Sequence, residues 1–536
     1  SGAHLYNRPV VAQESFVFSN RAGMTTPQKI KAFSNKSFAA GVNQIVYHGT
    51  PYKYQTGQYG TEGWTAWSTP FRPFNYSSNI NEAYNYWKLI GEVNTFLSRS
   101  QYALRAGKAK VDVLIYFPFI DFESSQMVYN PEETFISGYY GTIEPVAPDL
   151  KKIKGQPSLI QYWFTQVWPL INTLESLGLT WDYVNDESLH LATNAGQGID
   201  IRGNQYPALI VANTPYMPVA SAQKLDELTT AGASLLIYGA APSRQPGYKD
   251  FLHQDLKVAT LFKKISGNRG VQSLRDQTRL AIWAERIESR LGLAQPCSFL
   301  KMQKRQLADG SILYYLWNKT TDQQRLSVSV SGSANSYLLN PEDGSILKNT
   351  GSQVDILLEP YSALFLYTSV SDSLTADGLK QELWAGELKT VRELSKWDLR
   401  VGKTHVKDTL LFDWRTDKRF MHNLHSGSYT KAVTLDIQQK KQYILELVDV
   451  FFTAEVFINN KKAGICLWPP YSLDITRWLK SGQNKIEVKV TPPDRNYYVG
   501  EGVKGNPKYT QYKHLGKTLL PSGMLGPVFI KVRSIK

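Results

Sequence analysis

A chain of 536 residues with 42% hydrophobic and 20% charged side chains is too long for one domain and too apolar to be disordered. Its two cysteines, Cys297 and Cys466, exclude a disulfide framework and a cysteine zinc cluster, and no stretch approaches the roughly 20 apolar residues of a membrane helix. The net charge of +14 is spread over the chain without a nucleic-acid motif, so it reads as a solvated face or as a field that steers an anionic polysaccharide.

Residues 1–108 read as strand–helix repeats. Pro9, Val10, Val11 and Ala12 make a short apolar run ending at Gln13, Glu14 and Ser15. Thr26 and Pro27 open a helix through Lys29 to Phe33, threonine as N-cap and proline at the first helical position. Residues 43–47 form a second strand, ending at His48 and Gly49. A later helix starts near Asn81, with Tyr86, Leu89, Ile90, Val93 and Leu97 at helical spacing. A complete (β/α)8 barrel needs at least about 200 residues, so these two or three strand–helix units make at most a partial barrel.

Residues 109–290 read as a doubly wound α/β domain. Residues 111–116, 208–211 and 234–238 are short apolar runs of the kind found in parallel strands covered on both faces. A helix from 159 to about 177 carries Trp163, Val167, Ile171 and Leu174 on one face. After about residue 290 helices disappear. Residues 291–372 give a small β-sandwich and 373–536 a second β-sandwich, with a hairpin turning at Asn459 and Asn460.

Glu14 is the first candidate for chemistry. A carboxylate at the C-terminal end of a barrel strand can act as general base on a water attacking an anomeric carbon; the structural alternative is a strand-end ion pair. His48 ends the next strand and is followed by Tyr52, then Trp64 and Trp67, residue types that hydrogen-bond and stack on sugars and also pack loops. In the last domain Trp468 and Tyr471 are candidates for accessory sugar binding. The eight histidines show no His-x-x-x-His metal spacing. The glycines around Asn194 follow no convincing strand, which argues against a dinucleotide site.

Three stretches look like the later barrel strands of family 106 α-L-rhamnosidases: Ala3-His4-Leu5-Tyr6, Val11-Ala12-Gln13-Glu14-Ser15-Phe16 and Gly41-Val42-Asn43-Gln44-Ile45-Val46-Tyr47-His48-Gly49. The resemblance continues through Phe74-Asn75-Tyr76-Ser77-Ser78-Asn79 and Arg99-Ser100-Gln101-Tyr102 to Trp468-Pro469-Pro470-Tyr471 and Ser522-Gly523-Met524-Leu525-Gly526-Pro527, where residues 373–536 look like the family's galactose-binding-like jelly roll. It implies hydrolysis of terminal α-L-rhamnosides with inversion by two glutamates, with calcium near the active site and a periplasmic or extracellular location. Glu14 matches the base; the acid belongs to an earlier strand, so the chain by itself is expected to be inactive unless the N-terminal barrel portion is supplied as a separate chain. Glu62 is the loop carboxylate in residues 60–67. The α/β domain resembles the amidotransferase-like domain of some β-galactosidases, but residues 236–241 carry no cysteine nucleophile. The competing readings are a non-catalytic carbohydrate-binding protein and a glycosidase of other, β-galactosidase-like specificity. The expected partner is carbohydrate, with no nucleic acid and no membrane span.

Overall fold

A computed structural model describes residues 1–16, 18, 23–48, 80, 82, 84–118, 158–196, 198–330, 335–349, 351–370, 384–515 and 519–535. The chain forms two compact units, one of residues 1–12, 35–44 and 99–376, the other of 13–34, 45–98 and 377–536. Both mix helices with β-sheets.

The opening region contains β1 (Ala12–Ser15), α1 (Pro27–Ala39), β2 (Gln44–Tyr47) and α2 (Ile90–Arg105). The expected N-cap is in place: Thr26 Oγ1 accepts from Lys29 N at 3.3 Å, satisfying one of the free amides of the first turn. The helix then runs past the expected Phe33 to Ala39.

The first unit holds a five-stranded parallel sheet. Its strands are β3 (Val113–Tyr116), β4 (Trp181–Val184), β5 (Ala208–Ala212), β6 (Leu235–Tyr238) and β7 (Val271–Leu274), in the spatial order β7-β6-β5-β3-β4. Alternation sends Leu114, Leu209, Val211 and Ile237 into one core and Val113, Ile115, Ile210 and Leu236 into another. With both faces covered, the three inner strands β3, β5 and β6 read as unbroken apolar runs in the sequence, whereas the outer strands β4 and β7 carry Asp182, Gln272 and Ser273 and do not. Helices Val219–Thr230 and Phe251–Ile265 pack on the first face, Leu159–Ser176 and Gln277–Glu285 on the second. The glycines near Asn194 make a turn between short antiparallel strands, with Gly196 at φ +69°. Beyond this sheet, antiparallel three- and six-stranded sheets share a core that includes Leu300, Leu316, Val328, Ile356 and Leu366.

In the second unit a four-stranded and a six-stranded antiparallel sheet share a core that includes Leu399, Leu445, Val488 and Val528. The expected hairpin joins Thr453–Ile458 to Lys461–Cys466. Asn459 and Asn460 both have positive φ, 52° and 65°, as a two-residue type I′ turn demands.

Three expectations are corrected. Ala3-His4-Leu5-Tyr6, which resembles a barrel strand, falls on the short helix Gly2–Leu5. The helix expected from near Asn81 starts at the 3-10 turn Trp87–Leu89 and continues as α2. The C-terminal region is not free of helix: Asp494–Val503 is helical, followed by 3-10 turns over Pro507–Leu515. Its low propensity comes from Gly500 and Gly502, but Gly500 is a packing requirement, because a Cβ there would lie 2.4 Å from His422 Cβ. Tertiary contact overrides propensity at this helix.

Candidate active site

Gln44 N donates to Val11 O at 3.1 Å and His48 N to Ser15 O at 3.2 Å, the same offset at both ends, so β1 and β2 run parallel. Asn43 pins the start of the pair, accepting from Val11 N at 2.8 Å and donating to Pro9 O at 2.9 Å. Parallel pairing in this register carries Glu14 and His48 to the C-terminal ends of neighbouring strands.

Glu14 lies one residue before the end of β1, with its side chain 72% exposed. The ring of His48 is 25% exposed, and its Nε2 stands 3.7 Å from Glu14 Oε2. That is ion-pair range but longer than a hydrogen bond, so the carboxylate keeps lone pairs open to water. The support beneath is aromatic. Tyr47 donates to Asn94 Oδ1 at 2.7 Å, tying β2 to α2, and its ring meets that of Phe16 at 5.4 Å. Burial pushes the Tyr47 phenol well above its usual range, so it stays protonated and donates. Immediately after β1, Phe16 is buried with φ +73°, a costly backbone region for a bulky residue.

An exposed carboxylate with an imidazole beside it can accept a proton from water while the histidine donates to a neighbouring hydroxyl. Of the other sequence candidates, Tyr52, Trp64 and Trp67, with Glu62, lie outside the described residues. Trp468 and Tyr471 are buried inside the second unit rather than displayed on it. The Trp468 ring packs edge-on against Phe96 at 5.4 Å beneath the Lys31 ammonium, and Tyr471 donates to Phe452 O at 3.0 Å. Neither ring offers a face to a sugar. Among the described residues no group of three or more His, Cys, Asp or Glu side chains could hold a metal ion. Calcium takes six to eight oxygen ligands, so one carboxylate beside an imidazole is a poor match for it.

The sequence reading passed over Asp494. It is fully buried at the start of the Asp494–Val503 helix, accepts from Asn85 N at 3.5 Å, and burial pushes its pKa up to about 7. Pro492-Pro493-Asp494 is a readable helix-start signal, but nothing in the pattern announced a buried acid.

With this geometry in hand, residues 1–141 match the family model described as glycoside hydrolase family 106, alpha-L-rhamnosidase. The resemblance read from the sequence is borne out there. A structure of rhamnosidase from Novosphingobium sp. PP1Y is similar over 99% of this chain and 48% of that one, with a TM-score of 0.70 and 19% identity, so the two share a fold. A putative beta-glucuronidase from Formosa agariphila is 26% identical over 213 residues, 33% of this chain and 18% of that protein. The chain thus spans about half or less of the length of these relatives. Among the described residues no helix is long and apolar enough to cross a membrane.

Proposed function

Proceeding from a family 106 glycoside hydrolase segment over residues 1–141, we propose that the chain is the C-terminal portion of an α-L-rhamnosidase acting on a plant or microbial polysaccharide with inversion. Glu14 is the general base. It takes a proton from a water as that water attacks the anomeric carbon, on the face opposite the leaving group. The observation that carries this reading is the open Glu14 carboxylate at a strand end, with His48 Nε2 at 3.7 Å.

His48 lines the sugar pocket and donates to a substrate hydroxyl, and the loop rings Tyr52, Trp64 and Trp67 complete the subsite. The general acid comes from an earlier barrel strand. Among the described residues β1 pairs with β2 alone, in a two-stranded sheet, so its other edge is open to a further strand, and this supports a barrel completed by additional chain. The jelly roll and the α/β domain act as scaffold. A polysaccharide substrate places the protein in the periplasm or outside the cell.

The test supplies the remaining barrel as a polypeptide and offers an aryl α-L-rhamnoside. Activity should appear only in the mixture, and the first product seen by NMR should be the inverted anomer. Glu14→Gln should lower kcat by about 10²–10⁴-fold while the chain stays folded. An unchanged rate in Glu14→Gln would remove Glu14 from the reaction.

A further inference from the structure

The first unit contains a cavity of about 390 Å³, within the roughly 300–1,000 Å³ range of small-molecule sites. It lies at the end of β1 and β2 where Val11 and Asn43 enter the strands, and Glu14 is at the other end of β1. Its wall is asymmetric in charge. Arg8, Lys108 and Arg305 line it, and no carboxylate does. Asp182, which binds His4 Nδ1 at 2.8 Å, is not itself part of the wall.

Arg305 is the instructive member. Its Nε donates to Ala106 O at 2.5 Å and one Nη2 hydrogen to Gly107 O at 2.7 Å. Two of its five N–H groups are thereby spent on backbone carbonyls, fixing the plane of the fork and leaving the others available. Burial pulls its pKa below the usual guanidinium range, and among the described residues no carboxylate is paired with it. A half-buried guanidinium held in place without a counter-ion suits a planar or tetrahedral oxyanion taken in two-pronged fashion. Arg8 and Lys108 are exposed and likewise form no ion pair among the described residues. The rest of the wall is mixed: Pro9, Val11, Phe38 and Leu104 are apolar, and Gln303 spends its amide nitrogen on Ala39 O, leaving its carbonyl oxygen as an acceptor.

We propose that this cavity is a second saccharide site, selective for a sugar bearing a carboxylate or sulfate. The Arg305 fork takes the anionic group, Arg8 and Lys108 add attraction at the mouth, Gln303 accepts from a hydroxyl, and the apolar side chains face the C–H surface of the ring. The sugar identity rests on the glycoside hydrolase reading; the anion preference rests on the wall alone. Such a site would hold an acidic polysaccharide by a charged unit.

Calorimetric titration of the full chain tests this with four probes: methyl glucuronide for the carboxylate, glucose 6-sulfate for the sulfate, methyl glucoside as neutral control and inorganic sulfate as bare anion. At least one acidic sugar should bind ten-fold or more tightly than both methyl glucoside and inorganic sulfate, and the stronger one identifies the preferred anion. Arg8→Ala/Lys108→Ala, which alters only exposed side chains, should weaken that binding at least ten-fold; Arg305→Gln should abolish it. Glu14→Gln should leave it unchanged, which separates this site from the hydrolytic one even if no hydrolysis is ever observed. Equal binding of methyl glucoside would overturn the anion preference, equal binding of inorganic sulfate the saccharide assignment, and full affinity in Arg8→Ala/Lys108→Ala the location.

Discussion

Asp494 shows what burial does to a single carboxyl. Its pKa of about 7, against an ordinary 3.8, follows first from desolvation, which the amide of Asn85 only partly offsets. The folded state therefore binds this proton more tightly than the unfolded state does. Its contribution to stability is complete below pH 3.8 and is lost as pH rises through about 7. Taken alone, the group lowers unfolding free energy by up to about 1.4 kcal/mol per pH unit across that window. Urea midpoints for the wild-type chain and Asp494→Asn should diverge between pH 4.5 and 7.5, with the variant the more stable at the upper end. Parallel curves would mean that the acid is already solvated. Glu455 behaves oppositely. Burial would raise it, but hydrogen bonds from Lys88 and Lys462 hold it below the usual glutamate range. A strand-end glutamate such as Glu14 and an interior one such as Glu455 look alike in sequence; only the fold separates them.

Among the elements, those with a simple physical signature were legible. The three inner parallel strands were continuous apolar runs, α1 opened at Thr26-Pro27, and two asparagines turned the hairpin, whereas the outer strands Trp181–Val184 and Val271–Leu274, broken by polar residues, were not legible. The Asn459 amide also bridges, donating to Trp478 O at 3.1 Å and Asn484 Oδ1 at 2.9 Å and accepting from Lys485 N at 3.0 Å. Asn459→Val should therefore lose all three bonds and place a β-branched residue at positive φ, costing about 2–4 kcal/mol in denaturant titration. Asn460→Gly should be neutral or stabilising. The Asp494–Val503 helix was not legible, because its glycines answer to His422 and Tyr509 rather than to helical pattern. Equally hidden was the tie between Leu300–Gln306 and the entry to β3. Lys304 is buried against Asp112, which also accepts from Ser289 Oγ and, at 2.8 Å, from Thr180 Oγ1. Burial lowers the Lys304 pKa, and the Asp112 carboxylate works against that shift. Lys304→Met would strand a buried carboxylate and should destabilise the chain by about 3–5 kcal/mol, and adding Asp112→Asn should recover part of the loss. Additive losses in the double variant would show that the two groups are not coupled.

At the scale of the whole molecule, composition and order of motifs were enough to mark a mixed α and β chain whose residues 1–141 resemble glycoside hydrolase family 106. They were not enough to place side chains: the Trp468 and Tyr471 rings fill the interior, because an aromatic residue serves a core as well as it serves a sugar. The charge of +14 remains a property of the entire surface. It should draw acidic polysaccharides in by long-range attraction, so association rates measured by stopped flow should fall steeply between 10 and 300 mM salt, as the screening length shrinks from about 30 Å to below 8 Å. Salt-independent rates would confine recognition to short-range contacts. One detail of the parallel sheet reaches further. Directly after β6, Gly239 turns at φ +77°, and a Cβ on it would fall 1.9 Å from Asn213 Oδ1, an oxygen that Ala240 N holds at 3.1 Å. A side chain at position 239 could enter only by turning the Asn213 carboxamide out of its seat, and Ala240 N would then lose its acceptor, so the bend after β6 keeps this crest of the sheet bare.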